Sequence, residues 1–182
     1  NFREGDADVA MIKFSSSAAH LSGRKQVSAE TFTWLREHFR TALSQCKPEL
    51  EDLFINGINH IFLHGSTYSP ESAQWPGWKF YASVNFNDTN PIWEDAPALF
   101  EYISRSQSLL QQGQHDNDVL VYWPIHDSWS KFNEGDPLVQ FGIHRLNTWL
   151  SDTPFYKTTH HLIKEGYSID YISDRFLEKV NV

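Results

Sequence analysis

Apolar and polar residues alternate along this chain in blocks that predict short buried strands between amphipathic helices. Four apolar runs predict strands, at residues 26–29, 58–63, 118–123 and 167–172. Apolar positions at helical spacing predict helices at residues 34–46, 49–54, 93–112, 137–149 and 155–164, and residues 9–14 predict a helix end before the polar run 15–23. Strands and helices in this order are typical of an α/β fold with parallel strands.

A single carboxylate, Glu30, stands where the first predicted strand gives way to the helix behind it. In parallel α/β folds the functional side chains lie at the carboxyl ends of the strands. Glu30 is therefore a candidate catalytic acid or base. A capping or structural glutamate is the competing interpretation, and it is favoured when this stretch is taken alone.

The second strand predicts a face that carries histidines. Since neighbouring side chains point to opposite faces, Ile61 and Leu63 share one face, and His60, Phe62 and His64 share the other. In a closed barrel the second set would point inward, so we predict a site role for His64 at the strand end and a hydrogen-bonded core position for His60. The spacing does not indicate zinc, because it suits a metalloprotease only on a helix.

A long aromatic loop follows, from Gly65 to about Pro91. Loops of this length are often functional, and aromatic rings favour a cleft wall, although an ordered cover over the core is the alternative. Its aromatic residues are Tyr68, Trp75, Trp78, Phe80, Tyr81 and Phe86.

Composition and charge exclude some classes of partner. The 182 residues are 40% hydrophobic, enough for a sizeable core, and the net charge of -8 argues against nucleic acid and anionic membranes as partners. No apolar stretch approaches the roughly 18 residues of a membrane span. Cys46, the single cysteine, cannot form an intrachain disulfide, and its place on an apolar stripe predicts a buried, inert thiol.

The polar segment Gly113–Asn117 predicts a domain boundary. The strand, helices and strand after it predict the opening of a parallel doubly wound sheet. His126 and Asp127 follow the first of these strands, where they are placed to reach a site, although a capping role is simpler for Asp127. The sequence has no GxGxxG, P-loop or GxSxG motif, which removes the simplest nucleotide-binding and serine-hydrolase interpretations.

Separated blocks of the sequence resemble one known family. The blocks are QVSAETFT (residues 26–33), NGINH (56–60) with His64, PGWKFYAS (76–83), LLQQG (109–113), DVLVYWP (118–124) and GYSIDYISD (166–174). In this order, from about Ser15 onward, they resemble glycoside hydrolase family 106, the α-L-rhamnosidases. Members of that family are much longer, and this chain begins with neither a methionine nor a signal peptide, so we expect it to be an internal piece.

The resemblance implies a fold and an activity. Residues 1–115 would be the C-terminal part of a (β/α)8 catalytic barrel, and residues 116–182 the start of a parallel doubly wound α/β domain. Glu30 would end strand seven and His64 strand eight. Members of the family degrade rhamnose-containing glycans by inverting hydrolysis of terminal α-L-rhamnosides, with a calcium ion that assists substrate binding.

The resemblance also implies roles for individual residues. Inversion needs an acid and a base roughly 6.5–9.5 Å apart, and Glu30 is the candidate general base. The acid would lie outside this chain, so we predict that the isolated chain is inactive; the calcium ligands are not assigned. The candidate substrate-binding residues are His20, His60, His64, Tyr68 and Trp78.

Three alternatives remain open at this stage. Glu30 would be the nucleophile of a retaining, β-galactosidase-like enzyme if its partner carboxyl lay only about 5–5.5 Å away. The tryptophans would instead bind glycan in a non-catalytic carbohydrate-binding or scaffold domain. The four strands would alternatively form one sheet in a small domain with another ligand. The piece itself does not indicate a localisation, but for its parent we expect secretion or a periplasmic location, without membrane insertion.

Overall fold

The structure is a computed structural model that describes residues 8–130 and 141–180. The helices are α1 (Val9–Leu21), α2 (Leu43–Ile55), α3 (Ala96–Leu110), α4 (Ile125–Ser130), α5 (Leu146–Trp149), α6 (Pro154–Lys164) and α7 (Asp174–Leu177). The strands are β1 (Ser28–Thr31), β2 (His60–Leu63), β3 (Val119–Tyr122) and β4 (Ile169–Ile172). The chain divides into two compact units: unit 1 is built around Gln26–Gln114, and unit 2 around Val9–Lys25 and the residues from His115 onward.

Unit 1 is centred on the parallel pair β1 and β2, in which Glu30 lies opposite Phe62. The alternation predicted for β2 is confirmed, because Ile61 and Leu63 pack against the core while Phe62 is 53% exposed. On β1, Ala29 is buried and Glu30 is exposed. The core behind the strands consists of Phe32, Trp34, Cys46, Leu50, Phe54, Val84, Phe86, Leu99 and Ile103.

The helix predicted over residues 34–46 is wrong for most of its length. Helix α2 begins only at Leu43 and runs through Pro48 to Ile55, so it joins the C-terminal end of that prediction to the next one. Phe39, inside the predicted range, has a φ of 61°, which an α-helix does not allow. Trp34 is 1% exposed, so it is anchored in the core from an irregular segment rather than from a helix face. The helical spacing of these apolar residues therefore does not reflect one face of a helix.

Unit 2 is centred on the parallel pair β3 and β4, in which Val121 lies opposite Tyr171. All four residues of β4 are buried. The chain passes from β3 to β4 through α4, α5 and α6, as the predicted strand–helix–strand order requires. Aromatic rings dominate its core, whose buried members are Trp149, Leu150, Phe155, Ile169 and Tyr171.

Helix α1 belongs to unit 2, although the sequence analysis grouped its residues with the first domain. The hydroxyl of Ser17 accepts a hydrogen bond from the backbone N–H of Tyr171 at 2.8 Å, and the hydroxyl of Tyr171 donates to the carbonyl of Ala10 at 2.9 Å. The polar run 15–23, expected to follow a helix end, is helical as far as Leu21. Its small residues let α1 approach β4 closely.

The remaining predictions can be compared element by element. Helix α6 is confirmed: Thr153 caps it by accepting a hydrogen bond from the N–H of Tyr156 at 3.1 Å. Of the helix predicted at 137–149, residues 137–140 lie outside the described part of the chain, and only Leu146–Trp149 is helical in the rest. Across residues 8–130 and 141–180 the four strands form two separate sheets, so the single-sheet alternative is wrong.

The fold is thus a mixed α/β arrangement with parallel strands. None of the helices in the described part of the chain has the length and apolar character needed to cross a membrane.

Candidate functional site

The candidate site lies on the face of β1 and β2 that turns away from the core of unit 1. This face, here called the Glu30 face, carries Glu30 from β1 and His60 and Phe62 from β2. The carboxylate of Glu30 is exposed and does not lie beneath apolar groups, which the catalytic interpretation required. Strand β1 continues one residue beyond Glu30, to Thr31. Glu30 is therefore the penultimate residue of the strand and does not follow its end.

His64 extends the same face at the carboxyl end of β2. Its backbone N–H donates to the carbonyl of Thr31 at 2.7 Å, which continues the pairing of the two strands by one residue. Strand alternation then directs its side chain to the side of Phe62. By this alternation, Glu30 and His64 are expected on one face near one end of the strand pair.

One atom of His64 is unusual. Its ring lies edge-on to Phe80 with the centroids 5.0 Å apart, and its Nδ1 is buried without a hydrogen-bond partner in the described part of the chain. Leaving a buried polar atom unpaired costs about 1–3 kcal/mol. A ligand hydroxyl can pair with this nitrogen only after the side chains that cover it have moved aside.

The other groups of the Glu30 face support the two polar side chains. The hydroxyl of Thr33 lies 3.5 Å from Oε2 of Glu30, to which it donates a long hydrogen bond. His60 is half-buried, with its ring 4.5 Å from that of Phe62. It lies on the face itself rather than in the core position predicted for it.

The aromatic loop behaves as two segments. Its returning segment is an ordered cover: Ala82, Val84 and Phe86 are buried, and the N–H of Phe86 donates to the carbonyl of Gly65 at 2.9 Å. Ser83 ties the same two ends together, because its hydroxyl accepts from the N–H of Gly65 at 2.8 Å. The loop therefore starts and ends next to His64.

The outer segment of the loop exposes its rings. Tyr68 and Trp78 are 88% and 62% exposed, and the residues on either side of Tyr68 hydrogen-bond to the backbone of Trp78. The hydroxyl of Ser69 accepts from the N–H of Trp78 at 2.8 Å, and the hydroxyl of Thr67 donates to the carbonyl of Trp78 at 2.5 Å. Exposed flat rings held in this way suit the C–H faces of a sugar.

A glycine is required where this outer segment turns. Gly77 has a φ of +80°, and a Cβ built on it would lie 2.4 Å from the hydroxyl oxygen of Ser69. Only a residue without a side chain allows Ser69 to reach the N–H of Trp78.

His20, the remaining predicted substrate-binding residue, belongs to unit 2 and is engaged there. Its Nδ1 lies 2.9 Å from Oδ2 of Asp170, and its ring stacks on that of His115 with the centroids 4.1 Å apart. The structure thus groups His20 with Asp170 and His115 and not with the residues of the Glu30 face.

Asp170 is the residue that sequence reasoning missed. It lies in β4 among Ile169, Tyr171 and Ile172, and a carboxylate inside such an apolar run is itself a signal, since buried charges need partners. Burial alone would raise the pKa of Asp170, but the hydrogen bond from His20 and the charge of Lys13 outweigh it and hold the pKa below its usual range. Burial lowers the pKa of Lys13, an effect that the nearby Asp170 only partly offsets.

Cys46 has the inert character expected of it. It is fully buried in unit 1, and burial, with a smaller contribution from the charge of Glu49, raises the pKa of the thiol to about 12. A thiol that does not ionise near neutral pH is not a nucleophile.

Comparison with known proteins relates the chain to glycoside hydrolases. A curated relative from Formosa agariphila, named "Putative beta-glucuronidase", is 36% identical over 114 residues, which are 60% of this chain and 9% of the relative. The solved structure of the rhamnosidase from Novosphingobium sp. PP1Y matches with a TM-score of 0.59 and 23% identity, over 96% of this chain and 14% of that protein. The chain therefore spans a small part of each, and the likeness to the rhamnosidase structure concerns the fold.

The sequence profile of one family covers well over half of the chain. The profile, described as alpha-L-rhamnosidase of glycoside hydrolase family 106, matches residues 3–137 and includes Glu30, His64 and the aromatic loop. This confirms the family suggested by the separated sequence blocks. The chain belongs to the α-L-rhamnosidase family, glycoside hydrolase family 106.

Proposed function

We propose that this chain is part of a glycoside hydrolase that removes terminal α-L-rhamnose from rhamnose-containing glycans, and that Glu30 is its general base. The observation that carries the proposal is the Glu30 face, where an exposed carboxylate and a buried, unpaired histidine nitrogen occur at the same end of two parallel strands. Membership of the α-L-rhamnosidase family supports the choice of sugar.

The proposed reaction inverts the configuration at the anomeric carbon. Glu30 accepts a proton from a water molecule as that water attacks the anomeric carbon, and a carboxylic acid elsewhere in the complete protein protonates the leaving oxygen. The hydroxyl of Thr33, at 3.5 Å, helps to orient the carboxylate of Glu30. Because this chain supplies one of the two carboxyl groups, it is proposed to be inactive alone.

The remaining residues of unit 1 are proposed to bind the sugar. The Nδ1 of His64 pairs with a sugar hydroxyl once the side chains that cover this nitrogen have moved aside, which relieves the cost of leaving it unpaired. The exposed rings of Tyr68 and Trp78 pack against the faces of neighbouring sugar residues. Together they position the glycan over Glu30.

One group of three potential metal-binding His, Cys, Asp or Glu side chains in the described part of the chain does not suit calcium. Calcium prefers six to eight oxygen ligands, whereas the one group of three candidate ligands within residues 8–130 and 141–180 is His20, His115 and Asp170, with two imidazoles. We derive no step through calcium from this chain. A calcium ion in the complete enzyme remains a proposal, with its ligands supplied by other residues, and so does secretion or a periplasmic location of that enzyme.

A retaining mechanism is the second candidate. The curated relative carries the name "Putative beta-glucuronidase", which favours a second kind of glycosidase, and in a retaining, β-galactosidase-like enzyme Glu30 would be the nucleophile. The two mechanisms differ in the anomer released first: inversion of an α-L-rhamnoside gives β-L-rhamnose, and retention gives the α anomer.

The test replaces Glu30 in the complete protein. With Glu30→Gln we expect kcat on an aryl α-L-rhamnoside to fall by roughly 10²–10⁴-fold, with binding of the rhamnoside retained. The control is Glu94→Gln, an exposed glutamate of the same unit, which should leave kcat unchanged. Unchanged turnover in Glu30→Gln would remove Glu30 from the mechanism, and NMR of the first sugar released by the wild type decides between inversion and retention.

A further inference from the structure

Unit 2 contains a compact group of side chains that the proposed glycosidase reaction does not use. His20 on α1, His115 in the segment before β3 and Asp170 on β4 each offer a ligand atom, and these atoms lie within 4.8 Å of one another. Ligand atoms of a zinc ion lie roughly 2 Å from the metal, so neighbouring ligands are roughly 3.3 Å apart. Nδ1 of His20 and Oδ2 of Asp170, which are 2.9 Å apart, already have nearly that spacing.

Two of the three side chains are held firmly in place. Asp170 is 1% exposed, and its Oδ1 accepts a hydrogen bond from the hydroxyl of Ser17 at 2.9 Å. The side-chain amide of Asn117 donates to Oδ2, and Nδ1 of His20 lies 2.9 Å from Oδ2 and 3.0 Å from Oδ1. A metal would therefore meet a carboxylate and an imidazole whose positions are already fixed, which lowers the entropic cost of binding.

The third side chain provides access. His115 is exposed, and its ring is parallel to that of His20, with an angle of 4° between the planes. Ring nitrogens bind metals in the plane of the ring, so the two rings cannot aim at one ion while they are stacked. His115 must tilt out of the stack, and its exposed position leaves room for this movement.

We propose that His20, His115 and Asp170 form a binding site for a divalent transition-metal ion. Zinc is the ion used to test the site. Two imidazole nitrogens and one carboxylate oxygen are a donor set typical of zinc and unsuited to calcium. Since the ligands come from α1, the segment before β3, and β4, the ion would join the two parts of the chain that make up unit 2. Its role would be structural, independent of the reaction proposed for Glu30.

The positive charge of Lys13 weakens the binding of a metal ion to the proposed site. Its ammonium lies 3.6 Å from Oδ1 of Asp170 on the buried side, where it repels an incoming cation. Lys13→Met removes this charge with little change of volume. We therefore expect Lys13→Met to bind zinc more tightly than the wild type.

The experiment compares variants of the complete protein after metal has been stripped with a chelator. Zinc binding is measured by isothermal titration calorimetry and by the rise in melting temperature, with magnesium as the control ion. The wild type should bind one zinc ion more than His115→Ala, a variant expected to fold because its side chain is exposed. The matched control is His161→Ala, which removes another exposed histidine of unit 2, on α6.

Each outcome bears on the proposal. Loss of one zinc ion in His115→Ala but not in His161→Ala supports it, and tighter binding in Lys13→Met supports the placement of the ion beside Asp170. Equal stoichiometry in the wild type and His115→Ala overturns the proposal, as does an equal loss in both histidine variants, which would show adventitious binding by surface imidazoles. Catalytic activity is not the readout, so failure here leaves the assignment of Glu30 untouched.

Discussion

Asp170 is the position where a single substitution should cost unit 2 most. Asp170→Asn keeps the shape of the side chain but removes its charge, while the ammonium of Lys13 remains 3.6 Å away with its side chain only 9% exposed. The new amide also brings a donor to a place where Ser17, His20 and Asn117 already supply donors. Breaking a buried ion pair on one side typically costs about 3–5 kcal/mol.

We therefore expect Asp170→Asn to lower the free energy of unfolding by about 3–5 kcal/mol. The assay is urea unfolding followed by tryptophan fluorescence, to which Trp149 in the core of unit 2 contributes. The control is Asp174→Asn, since Asp174 is a half-exposed carboxylate that accepts a hydrogen bond from the hydroxyl of Tyr122 at 2.8 Å. An ion pair or hydrogen bond at such a site is worth about 0–1 kcal/mol.

A double variant separates the ion pair from the rest of the network. If the unpaired Lys13 causes most of the loss, Lys13→Met combined with Asp170→Asn should be less destabilised than the sum of the two single changes, by about 0.5–3 kcal/mol. The reasoning is refuted if Asp170→Asn costs no more than Asp174→Asn. It is also refuted if the two changes at Lys13 and Asp170 simply add.

Three further predictions follow from individual sites. The pKa of Asp170 is lowered in the fold, so its ionised form stabilises the protein above the unfolded pKa of about 3.9, and this contribution disappears as the pH falls through the lower, folded pKa. Below about pH 4, the urea concentration at the midpoint of unfolding should then fall more steeply with decreasing pH for the wild type than for Asp170→Asn. Equal dependence of the two midpoints on pH would contradict this. Gly77→Ala places a Cβ against Ser69 at positive φ, so limited proteolysis should cut the aromatic loop of this variant faster. In the control, Gly113→Ala, the added Cβ meets open space, so this variant should be cut as slowly as the wild type. Equal cleavage of the two variants would contradict the clash. The Cys46 thiol, with its pKa raised to about 12, should resist an aromatic disulfide reagent until urea unfolds unit 1, and rapid labelling of the folded protein would contradict its burial.

The Glu30 face was predictable because period-two alternation is a strong local signal. The faces of His60 to His64 follow directly from strand geometry, and an exposed Glu30 on a neighbouring parallel strand follows from the order of elements. The failure over residues 34–46 has a physical cause. Trp34 reaches the core from an irregular backbone, and an apolar residue of that kind matches a helical period by coincidence.

The group around Asp170 was not predictable as a group. His20, His115 and Asp170 are widely separated in sequence, and no local pattern connects them. A carboxylate within the apolar run of β4 showed that a partner must exist, but not which one. The small polar residues of α1 were predicted to follow a helix end. Local sequence could not show otherwise, because Asp170, the partner of Ser17, lies 153 positions further along the chain.

The division of the chain has a consequence for how it folds during synthesis. Unit 1 is inserted between α1 and the remainder of unit 2, so α1 leaves the ribosome long before β4, on which it packs. The residues from Gln26 to Gln114 leave the ribosome one after another, whereas α1 keeps an uncovered apolar side until β4 has also been made. Chaperone binding and aggregation during translation should therefore concentrate at α1 and not at the Glu30 face.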